Sequence, residues 1–118
     1  MSSSDLLSIA LRFNEKINEQ DSDGLANLMT DDHKFIDNEG NVTKGKEAMK
    51  EGWSNFFKQY PDYRNEFTCV TTINGNVVVM VGYSKCSYKR LHGPNIWTAK
   101  IRRAKVAEWR VYWLNERQ

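Results

Sequence analysis

Leu6, Ile9, Ala10, Phe13 and Ile17 recur at spacings of three and four, the stripe of an amphipathic helix. Ser4 offers an N-cap, and Asp5 puts a carboxylate in the favourable first turn. The pattern predicts a first helix over about 5–19. Leu25, Leu28 and Met29 form the stripe of a short second helix that begins after Asp21 or Ser22, and Asp31 and Asp32 are expected to cap or turn the chain behind it. Residues 32–37 read as a short strand with His33, Phe35 and Asp37 on one face, ended by the turn formers Asn38-Glu39-Gly40-Asn41. A third helix, about 45–60, carries Ala48, Met49, Trp53, Phe56, Phe57 and Tyr60 at helical spacing and stops at Pro61.

From Tyr63 onward the period changes. Val70–Ile73, Val77–Val81, Ile96–Ile101 and Val106–Leu114 are rich in β-branched and aromatic residues, the material of strands. Asn74-Gly75 between two such runs is a strong hairpin signal, because both central residues of a type I′ turn need positive φ. Residues 91–95 supply the next loop and a tight turn near Arg103-Ala104 the last. Helix, helix, strand, helix and a four-strand meander together predict an α+β fold, with the helices gathered on one face of an antiparallel sheet.

Strand alternation assigns Ala107, Trp109, Val111 and Trp113 to the inner face of the last strand and Glu108, Arg110 and Tyr112 to the outer one. With Trp53 and Trp97 these indoles suggest a curved sheet around an aromatic interior, read either as a pocket or as plain core filling. Val77-Val78-Val79-Met80-Val81 is apolar on both faces. Such a strand must be covered twice, by the helix layer and by a second copy docked on the outer face, so a homodimer through the sheet is expected.

Composition fits this plan. The chain has 118 residues, 40% hydrophobic and 27% charged, as expected for one globular domain, 1–118 with its core at about 5–115. No run approaches the ~18 apolar residues of a membrane span, and the start lacks the regions of a signal peptide, so the expectation is a cytoplasmic protein without a membrane partner. Residues 85–118 carry nine Lys/Arg against two Asp/Glu. Arg102, Arg103 and Lys105 straddle a hairpin turn where solvated charges belong, and no nucleic-acid fingerprint accompanies them, so no nucleic-acid partner is expected. Cys69 and Cys86 lack metal or disulfide spacing and are expected as buried or half-buried strand residues. One carboxylate and two scattered histidines make no metal signature, and neither metal nor cofactor is expected.

Several features together resemble the nuclear-transport-factor-2-like superfamily, in particular its SnoaL-like and ketosteroid-isomerase-like domains. They are Thr30-Asp31-Asp32 followed by Asp37 and Gly40, Gly45 opening a helix with Trp53 and Phe56-Phe57, Tyr60-Pro61-Asp62-Tyr63, and the closing Val111-Tyr112-Trp113. The resemblance spans about 5–115. It implies a cone-shaped fold, three helices packed on a curved antiparallel sheet enclosing a cavity, and frequent dimerisation through the sheet. It also places Asp37 at the position of the isomerase's general base and Trp113 at a cavity-lining position. Phe13 stands where the isomerase has an oxyanion-hole tyrosine, and Ile96-Trp97-Thr98-Ala99 lacks its oxyanion aspartate. Losing even one such donor commonly costs ~10²–10³ in rate, which argues against steroid isomerisation by that route.

Two functions follow as expectations. The first is an acid–base enzyme of isomerase, cyclase or dehydratase type acting on an apolar or aromatic small molecule, with Asp37 as base, His33 assisting, and Phe13, Phe35, Trp53, Phe57, Trp97, Trp109 and Trp113 lining the ligand. The second is a non-catalytic ligand-binding or dimerisation module of the same fold. Asp37 has a competing role as a strand-end residue bonding its turn, and His33 as a structural histidine at a strand start.

Overall fold

The structure, a computed structural model, describes residues 1–114; residues 115–118, the end of the expected domain and of the resemblance, lie outside the described residues. Helix α1 runs Ser3–Glu19, α2 Ser22–Asn27 and α3 Lys46–Gln59. The strands are β1 Met29–Ile36, β2 Val42–Lys44, β3 Arg64–Ile73, β4 Val77–Lys85, β5 Gly93–Arg102 and β6 Lys105–Trp113. Among the described residues no helix is long and apolar enough to cross a membrane.

Helix α1 begins two residues earlier than its apolar stripe implies, because Ser2 rather than Ser4 caps it. Ser2 Oγ accepts from the Asp5 amide at 3.2 Å and the Asp5 carboxylate accepts from the Ser2 amide at 3.3 Å, a reciprocal capping box. Leu6, Ala10, Phe13 and Ile17 are buried as the stripe predicts. Asp21 caps α2 through the Gly24 amide. Asp31 and Asp32 lie within β1 instead of turning the chain ahead of it, and β1 ends at Ile36, leaving Asp37 just beyond the strand.

The six strands form one sheet in the order β2-β1-β6-β5-β4-β3. The meander β3 to β6 is antiparallel as predicted, but β1 runs parallel to β6, pairing Phe35 with Trp109 and Ile36 with Arg110. The sheet is therefore mixed rather than antiparallel. The reason is topological: α3 carries the chain to the far edge, where β3 starts antiparallel to β1, and three successive reversals bring β6 back beside β1 in the same direction. The three-residue β2 is too short and too polar to register in the sequence pattern, and it pairs with the end of β1 across the 37–41 turn.

Two bulges bend the meander. In β3 the pairing shifts between Phe67 and Cys69, so Thr68 is the extra residue; in β6 it shifts opposite Lys100 and Ile101, so Ala107 is. A bulge reverses which face the following residues occupy and sharpens the local bend. Hence Cys69 is exposed, against expectation, while Phe67 turns inward onto Trp97 with ring centroids 5.0 Å apart. Likewise Val106, not Ala107, is fully buried. Cys86 is buried, one residue beyond β4. The helices cover the concave face, and the core between the layers holds Phe13, Ile17, Leu25, Met80, Trp97 and Trp109.

Candidate active site

The site begins at the end of β1. Asp37 closes a tight loop in which its amide donates to the Asn41 carbonyl and its carbonyl accepts from Gly40, both at 3.0 Å. Gly40 takes φ +84° there, a value that favours glycine. The Asp37 carboxylate is anchored by the same loop: Oδ1 accepts from the amides of Glu39 and Asn41 at 2.9 Å, and Oδ2 accepts from Asn41 Nδ2 at 3.2 Å. The turn-bonding role is therefore present, and Asp37 also lines a cavity of about 300 Å³. One side chain meets both descriptions because it is half-buried at the cavity rim.

Helix α3 forms one wall. The Gly45 amide, at φ +109°, donates to the His33 carbonyl at 2.7 Å and so fastens the start of α3 to β1. The helical face carrying Met49, Gly52, Trp53 and Phe56 then borders the cavity, as the three-and-four spacing dictates. The opposite wall is the bent sheet, with Phe35 from β1, Trp97 from β5, and Trp109, Val111 and Trp113 from β6. Register holds these together, since Trp97 pairs with Val111 and Phe35 with Trp109. Asn38 and Thr43 flank Asp37 at one end, while Tyr63, Ser84 and Leu91 close the other. There Ser84 Oγ donates to the Leu91 carbonyl at 2.5 Å and accepts from Asn95 Nδ2 at 3.0 Å, which ties the 86–92 loop to β4 and β5.

Six of the sequence-predicted residues thus meet in the cavity wall: Phe35, Asp37, Trp53, Trp97, Trp109 and Trp113. Three stand behind it. Phe13 packs on Trp109 with centroids 4.7 Å apart, and Phe57 stacks on Trp53 at 5.5 Å and 27°, so both hold the lining rings from the rear. His33 is fully buried against Phe13, and its Nδ1 bonds the Val106 carbonyl at 2.7 Å. Burial drives its pKa down, against the opposing pull of the Val106 bond and of Asp32 and Glu108. His33 is thus held between β1 and β6 inside the core, and makes no hydrogen bond to Asp37.

Tyr63, Ser84, Leu91, Thr43 and Gly52 are lining residues that the sequence reading did not single out. Only Gly52 left a trace: it interrupts the apolar stripe of α3 midway between Met49 and Phe56. Beside the far end, burial raises the pKa of the Cys86 thiol, which disfavours the thiolate there. Among the described residues no group of three or more His, Cys, Asp or Glu is placed to hold a metal ion. The basic turn is internally compensated in part, because Arg102 donates to the Asp32 carboxylate.

Comparisons agree with this geometry. The structure superposes on an LEH-like epoxide hydrolase from Mycobacterium tuberculosis with a TM-score of 0.80 at 11% identity, covering 94% of this chain and 84% of that one. A candidate SnoaL-like polyketide cyclase from Jannaschia gives 0.79 at 16% identity, with 93% and 85% covered. An NTF2-like protein of unknown function from Cytophaga hutchinsonii gives 0.76 at 11%, with 92% and 88% covered. At these identities the likeness establishes the fold, and sequence comparison with curated proteins finds no match. The family model for the SnoaL-like domain matches residues 10–111, so the chain belongs to the SnoaL-like domain family, with the α+β nuclear-transport-factor-2-like fold.

Proposed function

We propose that this SnoaL-like domain binds a ring-containing, largely apolar small molecule between α3 and the bent sheet. The observation that carries the reading is the cavity of about 300 Å³ walled by four tryptophans, with its polar groups confined to two ends. That is the make-up of a small-molecule site, where apolar walls supply affinity and a few placed polar groups set orientation. A core filled only for stability would leave no such space. The test is titration with bicyclic aromatic probes, followed by tryptophan fluorescence. Trp113→Ala, at a half-buried position, is expected to weaken binding by at least tenfold while far-UV circular dichroism is unchanged. Trp97→Ala should do the same at greater cost in stability. Probes that leave the fluorescence of the wild-type chain unaltered at millimolar concentration would refute the reading.

A second reading adds catalysis, with Asp37 as the base of an isomerisation, cyclisation or dehydration. It is favoured by the place of Asp37 in the cavity wall and by a lone pair on Oδ2 left over after the Asn41 bond. Asp37→Asn keeps the shape and removes the base, so a turnover assay in which that variant retains full rate would end this reading. His33 is not part of it.

The homodimer belongs to the same proposal. Val77, Val79 and Val81 stand half-buried on the outer face of β4 beside exposed Ile73, a patch that a second copy would cover. Sedimentation at micromolar concentration is expected to give twice 13.8 kDa, and a mass of 13.8 kDa would discard the dimer.

A further inference from the structure

The lining of the cavity discriminates by charge as well as by shape. Seven of its side chains are aromatic, four of them indoles, and among the described residues Asp37 is its one Asp, Glu, Lys, Arg or His. Its carboxylate is held in place by three donors, two on Oδ1 and one on Oδ2, so Oδ2 keeps acceptor capacity toward a ligand. A neutral ligand without a hydrogen-bond donor would strip water from that carboxylate and offer nothing in return, which is costly for a charge. An anionic ligand would add like-charge repulsion in a medium of low dielectric. A cation would neutralise the carboxylate and gain from the electron-rich faces of the rings, Trp above all. One ring at the cavity rim already attracts a cation: the Arg90 guanidinium carbon lies 5.5 Å from the centroid of Trp113.

We infer that the ligand of this cavity is a tertiary or quaternary ammonium carried on an apolar body, with its charge facing Asp37 and the tryptophan rings. The inference rests on the binding reading above and narrows it. A primary ammonium is a poorer match, because its three N–H donors each demand an acceptor, and acceptors are confined to the two ends, with Asn38 and Thr43 beside Asp37. An alkylated nitrogen needs few or none.

The experiment uses the full chain and three probes of one size: benzyltrimethylammonium, its neutral carbon isostere neopentylbenzene, and phenylacetate. Tryptophan fluorescence and calorimetry read the affinities. The cation is expected to bind about tenfold tighter than the isostere, with phenylacetate weakest, and Asp37→Asn should bring the affinity for the cation down to the level of the isostere. Should that variant fold poorly, the ionic-strength dependence of the wild-type chain replaces it: affinity for the cation should fall with added salt and that for the isostere should not. Equal affinity for cation and isostere, or tighter binding of phenylacetate, overturns the ammonium inference and leaves the cavity reading standing. No binding of any probe overturns both.

Discussion

His33 Nδ1 lies 2.7 Å from the carbonyl oxygen of Val106, inside the core, and ties β1 to β6 where their pairing changes register. The parallel pairing of β1 with β6 is regular at Lys34, Phe35 and Ile36 but shifts register between Met29 and Lys34. The Val106 amide is satisfied by the Leu28 carbonyl at 2.8 Å, and its carbonyl by the imidazole. With Nδ1 donating, Nε2 carries the lone pair and, among the described residues, has no hydrogen-bond partner. The ring is therefore suited to its site only when neutral.

That arrangement predicts an acid-sensitive fold. Burial lowers the pKa of His33 in the folded protein, while the unfolded chain keeps the ordinary value near about 6.5. Below that value the unfolded state binds a proton that the folded state refuses, so stability is complete above it and declines as the pH falls toward the folded pKa. Urea midpoints measured from pH 7.5 down to 5 are expected to drop. His33→Asn, whose amide reaches the Val106 carbonyl without titrating, should flatten that part of the profile. An identical drop in both proteins would place the sensitivity elsewhere.

Gly52 sets the room available to a ligand. It occupies the middle of α3, where glycine costs about 1 kcal/mol relative to alanine. A Cβ added there would meet nothing closer than the Met49 thioether at 3.9 Å. Gly52→Ala is thus expected to raise stability by about 0.5–1 kcal/mol in denaturant melts. Gly52→Leu should keep most of that gain yet cut probe affinity, because its side chain projects along the cavity-lining stripe. Unchanged affinity in the leucine variant would show that ligands do not approach α3 at this turn.

The two tight turns of the meander, β3 to β4 and β5 to β6, differ in a way that can be measured. Asn74 and Gly75 take positive φ, +47° and +79°, with residues adapted to it. Arg103 and Ala104 take +54° and +62° without a glycine, and alanine in the left-handed region costs roughly 1–2 kcal/mol. Ala104→Gly is expected to stabilise the domain by about 1 kcal/mol and to raise Tm by several degrees. The turn lies far from the cavity, so probe affinity should not move.

Local signals explain most of what the sequence disclosed. The stripe of α1, the Trp53-Phe56-Phe57 cluster and the Asn-Gly hairpin are each written within a few residues, and each reappears in the structure. What failed was governed by contacts between distant segments. Nothing near β1 states that β6 will return parallel to it. The exposure of Cys69 depends on a bulge that Gly82 permits from the neighbouring strand. His33 and Asp37 are on one side of a short run, yet Val106 captures the first and the Asn41 turn anchors the second. Tyr63, in the connection from α3 to β3, and Ser84, near the end of β4, reach the cavity from segments far from Asp37 in the chain.

Gly82 is the position on which that bend depends most directly. It pairs with Phe67 at the point where Thr68 bulges out of β3. A Cβ at Gly82 would stand 2.0 Å from the Glu66 carbonyl oxygen and 2.8 Å from Phe67 Cα, both backbone atoms that no side-chain rotation can move. A strand glycine of this kind marks the close approach of another backbone, and here the approach turns Phe67 onto Trp97 at the cavity wall. Gly82→Ala must push β3 and β4 apart or remove the bulge, and removing it would face Cys69 inward and Val70 outward. The expected cost is about 2–3 kcal/mol in urea denaturation, with a loss of probe binding larger than the change in stability explains. Labelling of Cys69 by a maleimide in the folded variant separates the two outcomes: protection means that the register has slipped, and wild-type reactivity means that the strands have only parted.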